Sequence, residues 1–128
     1  MSLIEWNDKK FSVGVDIIDS QHKTLIGYIN ELAEIIENNN SMEDIRLIFV
    51  KLVEYTKYHF DTEEAYFASL NNSDLHLHQL QHKHFIEQLN TLIKQPPRDI
   101  TSDVLDFLLD WLVIHIQCED RKFIQDNQ

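Results

Sequence analysis

Residues 76–85, HLHQLQHKHF, place four histidines within ten positions, and the whole chain carries seven. An imidazole near neutral pH can carry a proton or ligate a metal. Spacing decides which rings act together, because each helical residue advances about 100°. His78 and His82 are four apart and share a face that Phe85, Leu89 and Leu92 continue. His76 points roughly 160° away from His78, and His84 roughly 160° away from His82, so both belong to the outer surface. The same i, i+4 spacing recurs in His59 and Glu63. They sit midway along an apolar stripe of Ile45, Ile48, Phe49, Leu52, Tyr55, Tyr66, Phe67 and Leu70. His22 aligns with Ile18, Ile26, Ile29, Ala33 and Ile36, and His115 with Val104, Leu108, Trp111 and Glu119.

A lone histidine on an apolar face is usually a buried residue with one hydrogen-bond partner. Five of them and a carboxylate on core faces are a different matter. Without strong partners each costs on the order of 1–3 kcal/mol, a large share of a marginal folding stability. A metal removes that penalty and turns ligand binding into folding energy. One tetrahedral zinc takes four ligands. Five histidines with carboxylates suit two octahedral ions and leave room for an exogenous ligand. Imidazole with carboxylate leaves iron, zinc and manganese open. Glutamate-rich di-iron bundles use Glu-x-x-His motifs; here His-x-x-x-Glu and His-x-x-x-His stand in their place. So nearly neutral a donor set favours reversible O2 binding over hard oxidation.

The elements that must position these residues are helices. Turn-forming clusters fall at NNNS (38–41), NNSD (71–74) and QPPRDIT (95–101), and the segments between them have helical periodicity. The first helix is expected from Asp16–Ser20 to about Asn38. The second follows Ser41, where Ser41-Met-Glu-Asp44 is a capping signal, and runs to about Leu70. The third covers about Asp74 to Lys94. The fourth follows Pro96-Pro97, with Asp99 or Thr101 as N-cap, and runs to about Phe123. Residues 1–15 form an arm with Trp6 and a turn at Gly14. Long helices with short loops predict an all-α, antiparallel up-down-up-down four-helix bundle over residues 1–128, a single domain.

Composition narrows the partners. Two glycines and two prolines argue against an all-β fold. A net charge of -11 disfavours nucleic acid and anionic membrane. The start MSLIEWNDKK lacks a secretory h-region, and no apolar run approaches the roughly 20 residues of a membrane span. Cys118 is the one cysteine, so no intrachain disulfide forms; it is read as a small buried hydrophobe. A cytoplasmic protein is expected, with no protein partner identified.

The chain resembles the hemerythrins, specifically the single-domain bacterial ones. The matching stretches are WNDKKFSVGVDIIDSQHKTLIGYINEL (6–32), YHFDTEE (58–64), HQLQHKHF (78–85) and WLVIHIQCED (111–120). The resemblance implies two non-haem irons bridged by an oxo or hydroxo group, with O2 as the ligand. His78, His82 and His115 would hold one iron, His22 and His59 the other, and Glu63 and Asp120 would bridge them. Phe60, Trp111 and Leu112 match positions that line or close the O2 pocket. The implied function is oxygen carriage, storage or delivery by a binding protein that is not an enzyme. A sensor acting through a separate partner, or a di-iron enzyme handling peroxide, NO or iron, are the alternatives.

The chain departs from the family pattern in its 71–77 loop, NNSDLHL, which lacks the usual Tyr-Pro. One position also sets helical geometry against the resemblance. Glu119 lies roughly 40° around the helix from His115, and Asp120 roughly 140°. A regular helix selects Glu119; the resemblance selects Asp120. A π-type turn, which brings residues five apart onto one face, reconciles the two and is expected between Ile114 and Asp120.

Overall fold

Asn7 starts the first helical turn. Its side chain accepts from the backbone N–H groups of Lys9 and Lys10, and α1 runs Asp8–Phe11. The computed structural model describes residues 4–38, 41–70, 75–94 and 102–120, apart from the side chains of residues 93, 102, 103 and 118–120. Four long helices follow: α2 (Asp16–Glu37), α3 (Met42–Ser69), α4 (Leu75–Ile93) and α5 (Ser102–Ile114). The last runs on into a π segment, His115–Asp120. No strand occurs among the described residues. The structure is the expected antiparallel bundle, with α2 packed on α3 and α5, and α3 on α4. No helix among the described residues is long and apolar enough to cross a membrane.

The helix starts follow local chemistry. Ser41 Oγ accepts from the Asp44 N–H at 3.1 Å and caps α3, as its sequence signal predicts. α2 has no side-chain cap at Val15, but Asp16 and Asp19 occupy its first turn, where negative charge suits the helix dipole. Asp19 also clamps the arm: Ser12 Oγ donates to its Oδ2 at 2.6 Å and the Val13 N–H to its Oδ1 at 2.8 Å. Gly14 turns the chain between them with φ 80, a left-handed backbone that glycine adopts without strain. The breaks at 71–74 and 95–101, the caps considered at Asp99 and Thr101, and the expected end near Phe123 lie outside the described residues.

Apolar periodicity determines which faces meet. Ile18, Leu25, Ile26, Ile29 and Leu32 of α2 are buried against Ile48, Phe49, Leu52 and Val53 of α3 and Leu105, Leu108 and Leu112 of α5. Phe85 and Leu89 close the core from α4. His76 and His84 are exposed, while His78 and His82 are buried, as helical phase requires.

Candidate metal centre

The polar end of this core is built around one carboxylate. Glu63, at 0% exposure, lies in the C-terminal third of α3. Its Oε1 stands 2.8 Å from His59 Nε2, 3.0 Å from His115 Nε2 and 3.7 Å from His82 Nε2. Its other oxygen, Oε2, stands 3.8 Å from His22 Nε2. All four long helical elements thus send an imidazole towards one buried side chain. The donor atoms of His22, His59, Glu63 and His115 lie within 4.8 Å of one another. His82 borders that set, and His78 lies one turn before it on α4, buried, its ring 6.1 Å from the His82 ring.

The far sides of two rings define what the near sides can do. His59 Nδ1 is 2.8 Å from Gln21 Oε1. An amide oxygen only accepts, so His59 Nδ1 carries the hydrogen. The Nε2 of a neutral ring is then a bare lone pair facing a carboxylate oxygen, and that contact needs a proton or a cation between them. His82 repeats the pattern, with Nδ1 2.9 Å from Glu64 Oε2 and a buried Nε2 that makes no hydrogen bond. Burial, then the neighbouring His115, pushes His82 down to about 3 against the opposing pull of Glu63. His82 is therefore neutral at pH 7 and its Nε2 is free to coordinate. Burial, then Asp61, pushes Glu64 above its ordinary carboxylate value. Nitrogen donors whose other N–H is held by an oxygen are the usual arrangement of metal-binding imidazoles. The donor set fits a cation site.

Aromatic rings wall the centre. Phe60 stacks on His82 at 3.8 Å and 3°, and Trp111 stacks on His115 at 4.6 Å and 14°. Beside the histidine layer lies an apolar cavity of about 20 Å3 lined in part by Leu25, Thr56, Phe85, Trp111 and Leu112. Four of these residues stand three positions from His22, His59, His82 and His115 respectively, so the cavity is the adjoining layer of the same bundle. It has room for about one small molecule, and apolar cavities of this kind stay dry.

The structure thus gathers His22, His59, Glu63, His82 and His115 at one point, with His78 beside them. Phe60 and Trp111 stack on the His82 and His115 rings, and Leu112, 3% exposed, lines the cavity. The backbone from His115 to Asp120 is the π segment that the i+5 spacing calls for. The side chains of Cys118, Glu119 and Asp120 lie outside the described residues. Sequence reasoning passed over Gln21 and Glu64, which hold the outer nitrogens. Each is the immediate neighbour of a member of the cluster, His22 or Glu63, and that adjacency was the available signal.

Comparison with known proteins agrees with this geometry. The family model of the hemerythrin HHE cation-binding domain matches residues 13–125. A bacteriohemerythrin of Clostridium acetobutylicum is 34% identical over 126 residues, covering 93% of this chain and 97% of that one. A bacteriohemerythrin of Methylococcus capsulatus is 28% identical over 126 residues, covering 96% and 95%. A crystal structure of wild-type hemerythrin superposes with a TM-score of 0.89 at 26% identity, covering 96% of each chain. The chain belongs to the hemerythrin family of cation-binding domains.

Proposed function

We propose that this protein binds O2 reversibly at a pair of non-haem iron ions for carriage, storage or delivery, and that it is not an enzyme. The observation that carries the reading is the convergence of His22, His59, His82 and His115 on the buried Glu63 carboxylate. In this reading His78, His82 and His115 hold one iron and His22 and His59 the other, with Glu63 and Asp120 bridging. With one histidine fewer than the first, the second iron would be left with room for O2. Iron supplies the electrons that O2 binding requires and that these side chains lack. The chain's own residues do the rest: imidazoles supply neutral donors, the carboxylates offset cation charge, Gln21 and Glu64 orient rings, and Phe60, Trp111 and Leu112 exclude water. The test is absorbance of the reduced, iron-loaded protein before and after air, then after O2 removal, with metal analysis. An air-dependent band that reverses, at about two irons per chain, is expected. A stoichiometry of one, or a preference for zinc with iron in adequate supply, overturns the reading.

Two residues test details of this assignment. Leu112 is buried and lines the apolar cavity, and a dry wall slows proton delivery to the bound ligand. Leu112→Ala is expected to hasten autoxidation about tenfold, followed as decay of the oxygenated spectrum; an unchanged rate removes Leu112 from the wall. Asp120→Asn is expected to lose iron, whereas Glu119→Gln keeps both iron and O2 binding. The reverse pattern would assign the second bridge to Glu119.

A further inference from the structure

The hydrogen bond that orients His59 is itself oriented. Gln21, 4% exposed, presents Oε1 to His59 Nδ1, and its Nε2 donates to Thr62 Oγ1 at 3.2 Å. Thr62 donates its single hydroxyl hydrogen to the Tyr58 carbonyl at 3.2 Å, one turn back along α3. With that hydrogen committed, Thr62 is an acceptor towards Gln21 and selects the NH2 end of the amide. The oxygen end is then left for His59. If the amide were turned round, its NH2 would face Nδ1, the ring hydrogen would move to Nε2, and Nε2 could no longer ligate a cation. His82 has no such ambiguity, because either oxygen of its partner Glu64 accepts. An amide has two unlike ends that only their partners distinguish.

We propose that Gln21 and Thr62 are positioning residues for the cation at His59: Thr62 sets which end of the Gln21 amide faces the ring, and the amide oxygen sets the ring tautomer. The inference rests on the reading of His59 as a metal ligand. Thr62 is only partly buried and touches no ligating atom, so its effect passes entirely through Gln21.

The logic fixes a double-mutant cycle. In Gln21→Glu both ends of the side chain accept, so His59 keeps its partner and Thr62 has nothing left to orient. Zinc, which does not react with O2, is titrated into the full chain against a competing chelator. Thr62→Val in the natural background is expected to weaken zinc binding about tenfold, in the range of losses for outer-shell changes. Thr62→Ser, which keeps the hydroxyl, restores affinity to within about twofold. Gln21→Glu serves as its own reference, and Gln21→Glu with Thr62→Val is expected to bind zinc as Gln21→Glu alone does. That non-additivity is the signature of coupling. A merely structural threonine would cost the same in both backgrounds. Equal cost in both, no cost in either, or loss of zinc binding in Gln21→Glu alone each overturns the proposal. Iron-loaded natural protein that fails to respond to air would overturn the O2 reading and leave the result of the zinc cycle standing.

Discussion

His59→Ala in the iron-loaded protein is expected to abolish the air-dependent absorbance, and His82→Ala to do the same, while His76→Ala and His84→Ala leave it within about twofold of the natural chain. The four rings are chemically alike and differ in phase. His59 is 0% exposed with Nε2 2.8 Å from the central carboxylate, and His82 is 2% exposed with Nε2 aimed at the same oxygen. His76 and His84 are exposed to solvent on α4. Loss of an inner ring removes a donor that no neighbouring side chain replaces, so the effect should be complete rather than graded. O2 titration followed by absorbance, with iron content measured on the same samples, separates lost metal from lost O2 binding. An outer substitution that costs as much as an inner one would mean that helical phase does not define the site.

The second large effect concerns stability. Removing iron is expected to lower the thermal midpoint by about 10 °C or more. A ligand held at a thousand times its dissociation constant contributes about 4 kcal/mol. In a chain of this size each kcal/mol moves the midpoint by roughly 3–5 °C. The metal-free core keeps a fully buried carboxylate among four imidazoles, a costly arrangement when no cation joins them. Melting curves of metal-free and iron-loaded protein decide it. Equal midpoints would show that these groups satisfy one another without metal.

Helical phase made much of the site legible before any coordinates. His59 and Glu63 interrupt an apolar stripe, and His78 and His82 head another, so their burial follows from period alone. Ser41 announced its own helix start through Asp44. The family resemblance, by selecting Asp120 where a regular helix selects Glu119, implied a widened turn after His115. Other features depended on partners distant in sequence. Asp19 could be read only as a first-turn acid; its clamp on Ser12 and Val13 needs the arm folded back. Gln21 is a neutral amide with no periodic meaning, and its role exists only once α3 brings His59 and Thr62 against it. The four-residue α1 is too short for periodicity to register, although Asn7 before Asp8 was a fair cap.

Gln117 Nε2 donates to the Lys10 carbonyl at 3.2 Å, joining the π segment to the arm across 107 positions of chain. During synthesis this sets an order of events. α2 and α3 leave the ribosome with His22, His59 and Glu63 already made, yet His115 follows more than fifty residues behind Glu63. A nascent chain holding only the early donors offers a cation an incomplete and solvent-open set. The site closes when α5 docks on α2 and its continuation meets residue 10, contacts of the kind that form late because they join remote parts of a chain. The full set of donors is thus gathered only once the last helical element has docked on the first two.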